Sequence, residues 1–184
     1  MNKDIIRAQI RAAKALVGEA ERRSAATSVF NRLEKMAAFM MADRILMYHS
    51  LPDELSTHEF LDRWGKRKRF FLPRVNGVNL DILPYDKSSL RLGAFHIEEP
   101  DGFDTTSVDD IEMIIVPAVA FDRKGNRVGR GKGYYDRLLA TTRALKVGVG
   151  YDFQLRPDGD IEPDQNDVPL DVIITESTLL IVRR

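Results

Sequence analysis

Apolar residues recur at helical spacing in two stretches of the chain, near its start and over residues 25–41. The first stripe consists of Ile6, Ile10, Ala13 and Val17, which share one helix face at about 100° per residue. Further helices are predicted over residues 25–41 and 134–142. A fourth is predicted over residues 57–67, because Ser56 precedes Glu59 by three residues, the spacing of an N-terminal capping box.

Short apolar runs bounded by turn residues predict the strands. They cover residues 44–48, 69–75, 79–85, 111–121, 145–149 and 172–175. Asn76 and Gly77 predict the tight turn of a hairpin, whereas the polar residues 85–109 predict an ordered loop. Because strands alternate with helices, we expect a single α/β domain over residues 1–184, with an open, mostly parallel sheet flanked by helices.

The composition narrows the class of protein. A chain of 184 residues with 43% hydrophobic residues can bury one core, and it has no cysteine for a disulfide, a thiolate nucleophile or a Cys-ligated metal. The amino-terminal segment is charged every few positions and does not resemble a signal peptide. No apolar run reaches the roughly 20 residues that cross a bilayer. We therefore expect a cytoplasmic protein.

Charge is neutral in sum but segregated along the chain. Residues 1–74 carry 15 basic and 9 acidic side chains, and residues 122–149 carry 8 and 2. In contrast, residues 75–121 carry 2 basic and 9 acidic side chains, and residues 150–184 carry 3 and 8. Long-range attraction to nucleic acid or to a membrane depends on a summed field of one sign, so the neutral total predicts neither partner.

The segment with the clearest chemistry is FDRKGNRVGRGKGYYDR, residues 121–137. Its glycines and cations alternate: Gly125, Gly129, Gly131 and Gly133 with Arg127, Arg130 and Lys132. Glycine lets backbone N–H groups approach an anion closely, and a helix is predicted to start at the end of this loop. Since open α/β sheets place ligands after buried strands, the segment favours a phosphate site over a mobile basic hairpin.

The common phosphate-loop motifs do not fit this segment. A Walker A loop would need glycine at Asn126 and serine or threonine at Gly133, and a dinucleotide fingerprint would need glycine or alanine at Tyr134. On the first predicted helix, Lys3, Arg7, Arg11 and Lys14 line up beside the apolar stripe. These four residues are either a solvated flank or an edge that faces an anion.

Two aspartates are candidate metal ligands. Asp136, in the first turn of the helix after the loop, either complements the helix dipole or holds a Mg²⁺ that bridges phosphate oxygens. Asp171 opens a predicted strand, and there a structural role is favoured over a second metal ligand. His49, His58 and His96 lack metal-ligand spacing.

Motifs along nearly the whole chain resemble the 5-formyltetrahydrofolate cyclo-ligase family. Beyond the glycine-rich segment, the resemblance rests on Lys3 and Arg7; on Tyr48, Ser50, Glu54 and Thr57; on Leu72, Pro73 and Arg74; on Phe95, Ile97 and Pro100; and on the closing LDVIITE. The resemblance implies a fold similar to the ribose-phosphate isomerase and CoA-transferase group. It also implies ATP-dependent closure of 5-formyltetrahydrofolate to 5,10-methenyltetrahydrofolate, with ADP and phosphate as products.

The same resemblance implies roles for individual residues. ATP would be bound by Lys3, Arg7, Arg127, Gly129, Arg130, Gly131, Lys132, Gly133 and Tyr134, with Lys132 and Arg130 catalytic. Folate would be bound by His49, Glu54, Phe95 and Tyr135, and Mg²⁺ by Asp136 and Asp171. We expect a monomer whose only partner is the folate, with or without a polyglutamate tail.

Two other functions are compatible with parts of the sequence. A nucleic-acid-binding module could use the basic residues 63–69 and 123–132, although aromatic residues for base stacking do not alternate with them. A sugar-phosphate isomerase could share the fold, but it would need neither Mg-ATP nor the pair Lys3 and Arg7.

Overall fold

The computed structural model describes residues 1–183 and is built around a seven-stranded sheet. The helices are α1 (Lys3–Ala15), α2 (Glu19–Glu34), α3 (Ala37–Met41), α4 (His58–Trp64) and α5 (Tyr134–Leu139). The strands are β1 (Arg44–Leu46), β2 (Arg69–Asn76), β3 (Asn79–Pro84), β4 (Leu90–Leu92), β5 (Glu98–Pro100), β6 (Met113–Val116), β7 (Ala120–Asp122), β8 (Arg127–Val128), β9 (Leu145–Val149), β10 (Leu155–Arg156), β11 (Val172–Ile174) and β12 (Leu179–Ile181).

The main sheet has the strand order β12-β11-β9-β6-β1-β2-β3. Its five central strands are parallel, while β12 and β3 pair antiparallel at the two edges. The predicted α/β class and the mostly parallel sheet are therefore confirmed. Because β1, β6 and β9 run in the same direction, the loops that follow them meet at one edge of the sheet, where such folds bind ligands.

Both faces of the sheet are covered, as the continuous apolar sequences of its strands require. On one face, α2, α3 and α4 contribute Val29, Phe39 and Phe60, and the ring of Phe60 stacks on that of Phe30 at 4.5 Å. On the other face, Leu139 of α5 packs with Phe121 of β7. Among residues 1–183, no helix is both long and apolar enough to span a membrane.

Helix α1 packs on a second, three-stranded sheet with the order β10-β7-β8. Ile6 and Ile10 on its buried face contact Ala120 and Val128 in one apolar cluster. Strand β8 lies within the glycine-rich segment and leads directly into its residues 129–133. This packing therefore brings the amino terminus beside the segment that the sequence marks for phosphate binding.

Two predicted elements are each divided in the structure. The helix predicted over residues 25–41 begins earlier, at Glu19, and breaks where Met36 adopts an extended backbone, so that Phe39 packs edge-on against Trp64 at 5.1 Å. The strand predicted over residues 111–121 divides at Pro117, which has no N–H group for the central ladder. Its second half, β7, belongs to the three-stranded sheet.

Two further local predictions were wrong. Residues 85–109 are not only loop, because β4 and β5 form an antiparallel hairpin there. The capping box is not formed either, since α4 has Thr57 as its N-cap and no side chain caps it. The buried Thr57 hydroxyl instead donates to the carbonyl of Tyr48 at 2.8 Å and accepts from the N–H of Ser50 at 3.0 Å, which ties this loop to the end of β1.

The turn between β7 and β8 supplies a test of the fold. Gly125 has φ +85°, and a Cβ placed on it would lie 2.5 Å from the carbonyl oxygen of Leu170, whereas Gly77 has φ +62° and open space around it. We expect Gly77→Ala to lower the free energy of unfolding by about 1 kcal/mol, for the left-handed backbone alone. Gly125→Ala adds the steric clash and should cost about 3 kcal/mol in urea denaturation. Equal losses for the two variants would contradict this close approach.

Candidate active site

A cleft of about 1200 Å³ opens at the carboxyl edge of the main sheet. Its walls come from α1, from the loop after β1, from the β4–β5 hairpin and from the glycine-rich segment. The segment 164–168 closes one side. These pieces are far apart in sequence, and the parallel strands and the packing of α1 bring them together.

The part of the glycine-rich segment that lies between β8 and α5 needs glycine for its shape. Gly131 and Gly133 have φ +95° and +73°, a left-handed backbone that side chains disfavour. A Cβ on Gly131 would lie 3.5 Å from the guanidinium of Arg7, so a side chain there would fill the space in front of α1. The Nε of Arg7 donates to the carbonyl of Gly129 at 2.9 Å, which fixes helix and loop relative to each other.

Cationic side chains gather at this end of the cleft. Lys3 contacts the carboxylates of Asp164 and Asp167 at 2.7 and 2.6 Å. Arg130 lies 3.4 Å from Asp53 and 3.5 Å from Glu54, and it is half exposed. Each of these cations lies beside two carboxylates, so its charge is balanced locally.

Arg127 lies beneath the loop rather than on its surface. The residue is only 7% exposed, and its guanidinium donates to the carbonyl of Pro117 at 3.0 Å and pairs with Asp136 at 3.1 Å. A Cβ on Gly129 would lie 2.9 Å from this guanidinium. Arg127 therefore supports the backbone of the glycine-rich segment from below, although its buried Nε–H has no hydrogen-bond partner among the described residues.

The opposite half of the cleft contains aromatic rings and one well-held carboxylate. Glu54 accepts a hydrogen bond from the N–H of Leu51 at 2.9 Å, and its side chain is largely buried. Tyr48 and Tyr135 lie beside it, and burial raises the pKa of both phenols well above the ordinary value, with the Glu54 carboxylate adding to the shift. Both tyrosines therefore stay neutral at physiological pH.

His49 contacts a residue that the sequence left without a role. Its Nδ1 lies 3.0 Å from a carboxylate oxygen of Glu98, and its ring stacks on His58 at 3.9 Å. Burial lowers the pKa of His49, the neighbouring His58 lowers it further, and Glu98 opposes both. His49 is therefore neutral near pH 7, and its Nδ1–H is placed to donate to Glu98.

Phe95 lies at the tip of the β4–β5 hairpin and reaches across the cleft. It is 55% exposed, and both Phe95 and His96 have φ +57°, a conformation that non-glycine residues adopt mainly where the surroundings enforce it. The ammonium of Lys132 lies 5.2 Å from the Phe95 ring, and the ring of Tyr134 is 6.4 Å away. The hairpin tip therefore contacts the glycine-rich segment.

The two predicted metal ligands are far apart. Asp136 lines the cleft, where it pairs with Arg127 and accepts from the N–H of Val168 at 3.3 Å. Asp171 does not line the cleft, because it precedes β11 at the amino-terminal end of the parallel strands, where it accepts from the N–H of Lys146 at 2.9 Å. The prediction that Asp171 is a second ligand in this site is therefore not supported by its position.

Several cleft residues escaped sequence reasoning. They are Glu98, Asp164 and Asp167, together with Asp53 beside the cleft, whereas Lys14 was considered only as part of a solvated flank or an anion-facing edge. Lys14 carried a usable signal, because it follows Ile6 and Ile10 at a spacing of four residues and so continues the buried face of α1. Asp167 lies only four residues from the aspartate that the sequence selected, and only tertiary structure distinguishes the two.

The basic run at residues 63–69 lies apart from the cleft and is used locally. Arg63 pairs with Glu34, and Arg69 pairs with Asp43 at 3.2 Å. The ammonium of Lys68 donates to carbonyls at the end of α3, including that of Phe39 at 2.7 Å. These contacts are those of a helix end and its neighbours.

The fold and the cleft together define an α/β protein whose cleft joins a glycine-rich, cationic wall to a pocket with aromatic rings and a carboxylate. Comparison with known proteins narrows this class. Residues 1–176 match the model of the 5-formyltetrahydrofolate cyclo-ligase family. The chain therefore belongs to that family.

Individual relatives are similar in sequence to this chain over most of its length. The 5-formyltetrahydrofolate cyclo-ligase of Escherichia coli K12 is 33% identical over 148 residues, covering 75% of this chain and 80% of its own. A probable 5-formyltetrahydrofolate cyclo-ligase of Schizosaccharomyces pombe is 28% identical, with 85% and 86% covered. The solved 5,10-methenyltetrahydrofolate synthetase of Aquifex aeolicus superposes with a TM-score of 0.90 at 33% identity, covering 100% of this chain and 94% of that one.

The family membership establishes the reaction. The protein is a 5-formyltetrahydrofolate cyclo-ligase, a ligase of one-carbon metabolism that converts 5-formyltetrahydrofolate to 5,10-methenyltetrahydrofolate. Use of ATP follows from the same membership. The function expected from the sequence is confirmed at this level.

Proposed function

We propose that ATP and 5-formyltetrahydrofolate bind side by side in the cleft at the carboxyl edge of the sheet. The observation that carries this proposal is the contact between α1 and the glycine-rich segment, in which Arg7 binds the carbonyl of Gly129. The triphosphate lies along Gly129, Gly131 and Gly133, whose backbone can approach an anion, with Arg7 and Lys3 on the other side. The ring of Tyr134 closes this half.

Catalysis then consists mainly of positioning and charge stabilisation. The formyl oxygen attacks the γ-phosphorus of ATP, the new O–P bond forms as the bond to the bridging oxygen breaks, and ADP leaves. N10 of the folate next attacks the activated carbon, the C–O bond to phosphate breaks, and the N10 proton is released. Arg130 and Lys132 are the exposed cations between Gly129 and Gly133, and they stabilise charge on the transferred group.

The folate occupies the half of the cleft that holds Glu54. Its carboxylate can only accept hydrogen bonds, so it suits the N–H groups of the pterin ring. Phe95 and Tyr135 provide aromatic walls, and the neutral phenol of Tyr135 is a donor that the cleft does not use otherwise. His49 contacts the same half and orients Glu98.

A magnesium ion fits the residues near the triphosphate. Mg²⁺ is typically held by one or two carboxylates together with water and phosphate oxygens, and the cleft offers carboxylates of this kind. Asp136 is one candidate ligand. Asp167 is the second, in place of Asp171, since Val168 next to it binds Asp136. When bound, the ion would neutralise charge on the phosphate oxygens.

We further propose that the enzyme works as a monomer in the cytoplasm, acting on folate with or without a polyglutamate tail. Support comes from the cleft itself, because a single chain supplies its phosphate half, its folate half and its floor. Sedimentation of the purified protein should give a mass near 20.9 kDa. A dimer that persists at low micromolar concentration would contradict this proposal.

The proposed site is tested by the absorbance of the methenyl product. Purified protein with 5-formyltetrahydrofolate and Mg-ATP should generate that absorbance, and omitting ATP should abolish it. Removing Mg²⁺ with a chelator should lower the rate, and Asp136→Asn should require more Mg²⁺ for half-maximal rate than wild type. Unchanged Mg²⁺ dependence in both Asp136→Asn and Asp167→Asn would contradict the proposed ligands.

A further inference from the structure

Lys14 interrupts the apolar face of α1 with a charge. Ile6 and Ile10 on this face are 0% and 2% exposed, and Lys14, four residues further on, is 8% exposed. Lysine is almost never this buried unless its ammonium has partners. Its long aliphatic stem fills the place of an apolar residue, while its head lines the active-site cleft.

The ammonium of Lys14 has no hydrogen-bond acceptor among residues 1–183. The nearest carboxylate oxygen, from Asp53, is 4.0 Å away, which is too far for a hydrogen bond. The cleft's other amino-terminal lysine is different, because Lys3 donates to both Asp164 and Asp167. Burial lowers the pKa of Lys14, and the carboxylates of Asp53 and Glu54 oppose this shift.

The Lys14 ammonium lies between the ATP half and the folate half of the proposed site. Arg130, from the phosphate loop, contacts both Asp53 and Glu54, and Lys14 approaches the same Asp53 from α1. Glu54 belongs to the folate half and Arg130 to the ATP half. The boundary between them is where a group must pass from nucleotide to folate.

We infer that Lys14 is a further catalytic cation, which donates hydrogen bonds to the oxygens of the phosphoryl group as it moves from ATP to the formyl oxygen. The inference rests on the placement of ATP and folate proposed above. In this step the formyl O–P bond forms, the bond from the γ-phosphorus to ADP breaks, and Lys14 keeps its proton throughout. Donors aimed at developing charge act in the transition state more than in the ground state.

A purely structural role for Lys14 makes different predictions. If the ammonium only balanced the charges of Asp53 and Glu54, its loss would weaken folate binding or lower stability. If it contacts the transferred group, its loss lowers kcat and leaves both KM values nearly unchanged. The two roles therefore separate in the kinetic constants.

The test compares Lys14→Met, Lys14→Arg and the control Arg11→Met. Arg11 is on the same helix but is exposed and does not line the cleft. We expect Lys14→Met to lower kcat about 100-fold, a typical loss for one donor to a transition-state oxyanion. Lys14→Arg should recover at least about tenfold of that loss, because it restores a cation, and Arg11→Met should match wild type. Urea denaturation should show that all three variants remain folded.

Two results would overturn the inference. One is wild-type kcat in Lys14→Met, and the other is a loss confined to the KM for folate. Lys132→Ala, assayed in parallel, separates this failure from failure of the proposed site. If Lys14→Met has wild-type kinetics and Lys132→Ala is impaired, only the catalytic role of Lys14 is rejected. If both variants have wild-type kinetics, ATP binds elsewhere.

Discussion

Replacing Lys132 with alanine should lower kcat/KM for ATP by about 100-fold to 1000-fold, the range seen when a donor to transition-state charge is removed. The side chain is exposed at the cleft, and its contact within the protein is the face of the Phe95 ring. Its loss therefore removes a cation from the phosphate half without opening a cavity. Steady-state kinetics at limiting ATP measures the effect, and Arg130→Ala should fall in the same direction.

The matched control for this experiment is Lys124→Ala. Lys124 lies in the turn between β7 and β8, is exposed, and does not line the cleft. We expect wild-type kinetics and an unchanged urea midpoint for this variant. If Lys132→Ala and Arg130→Ala both retained wild-type turnover at limiting ATP, the assignment of the glycine-rich segment to ATP would be wrong.

Glu54→Gln is the second large effect that we expect. The amide can still accept from the N–H of Leu51, so the local loop is preserved, but the charge and the acceptor-only character of the carboxylate are lost. Hydrogen bonds to charged groups contribute about 1.5–3 kcal/mol each, so kcat/KM for 5-formyltetrahydrofolate should fall about 100-fold. The KM for ATP should change little.

Glu59→Gln provides the comparison for Glu54→Gln. Glu59 is an exposed carboxylate on α4, outside the active-site cleft, and its replacement removes the same charge. Normal folate kinetics in this variant would show that net charge is not the cause. If Glu54→Gln raised the KM for ATP and left the KM for 5-formyltetrahydrofolate unchanged, the assignment of Glu54 to the folate half of the cleft would be wrong.

Much of the fold could be predicted because its signals are local. The central strands are short apolar runs, and the turn at Gly77 follows from two adjacent residues. The break at Met36 could not be read from periodicity, because it serves the packing of Phe39 against Trp64. The division at Pro117 was visible in principle, since proline cannot continue a central ladder.

The candidate site, too, could be predicted from the sequence only in part. The glycine-rich segment can be recognised from the sequence alone, because few functions other than anion binding need alternating glycines and cations before a helix. That Arg7 contacts Gly129 across 122 positions of sequence depends on how α1 packs on the three-stranded sheet, which spacing alone does not give. Asp167 lines the cleft, whereas Asp171 lies at the opposite edge of the sheet, and only tertiary structure distinguishes the two.

The most direct measurement of the central claim is a residue-resolved NMR titration of the full chain with a non-hydrolysable ATP analogue and Mg²⁺. We predict that the largest amide shift changes occur at residues 129–134 and in the first two turns of α1, with Glu54 and its neighbours responding when the folate is added. Largest changes at the basic residues 63–69, with the glycine-rich segment unaffected, would contradict the site described for this cyclo-ligase.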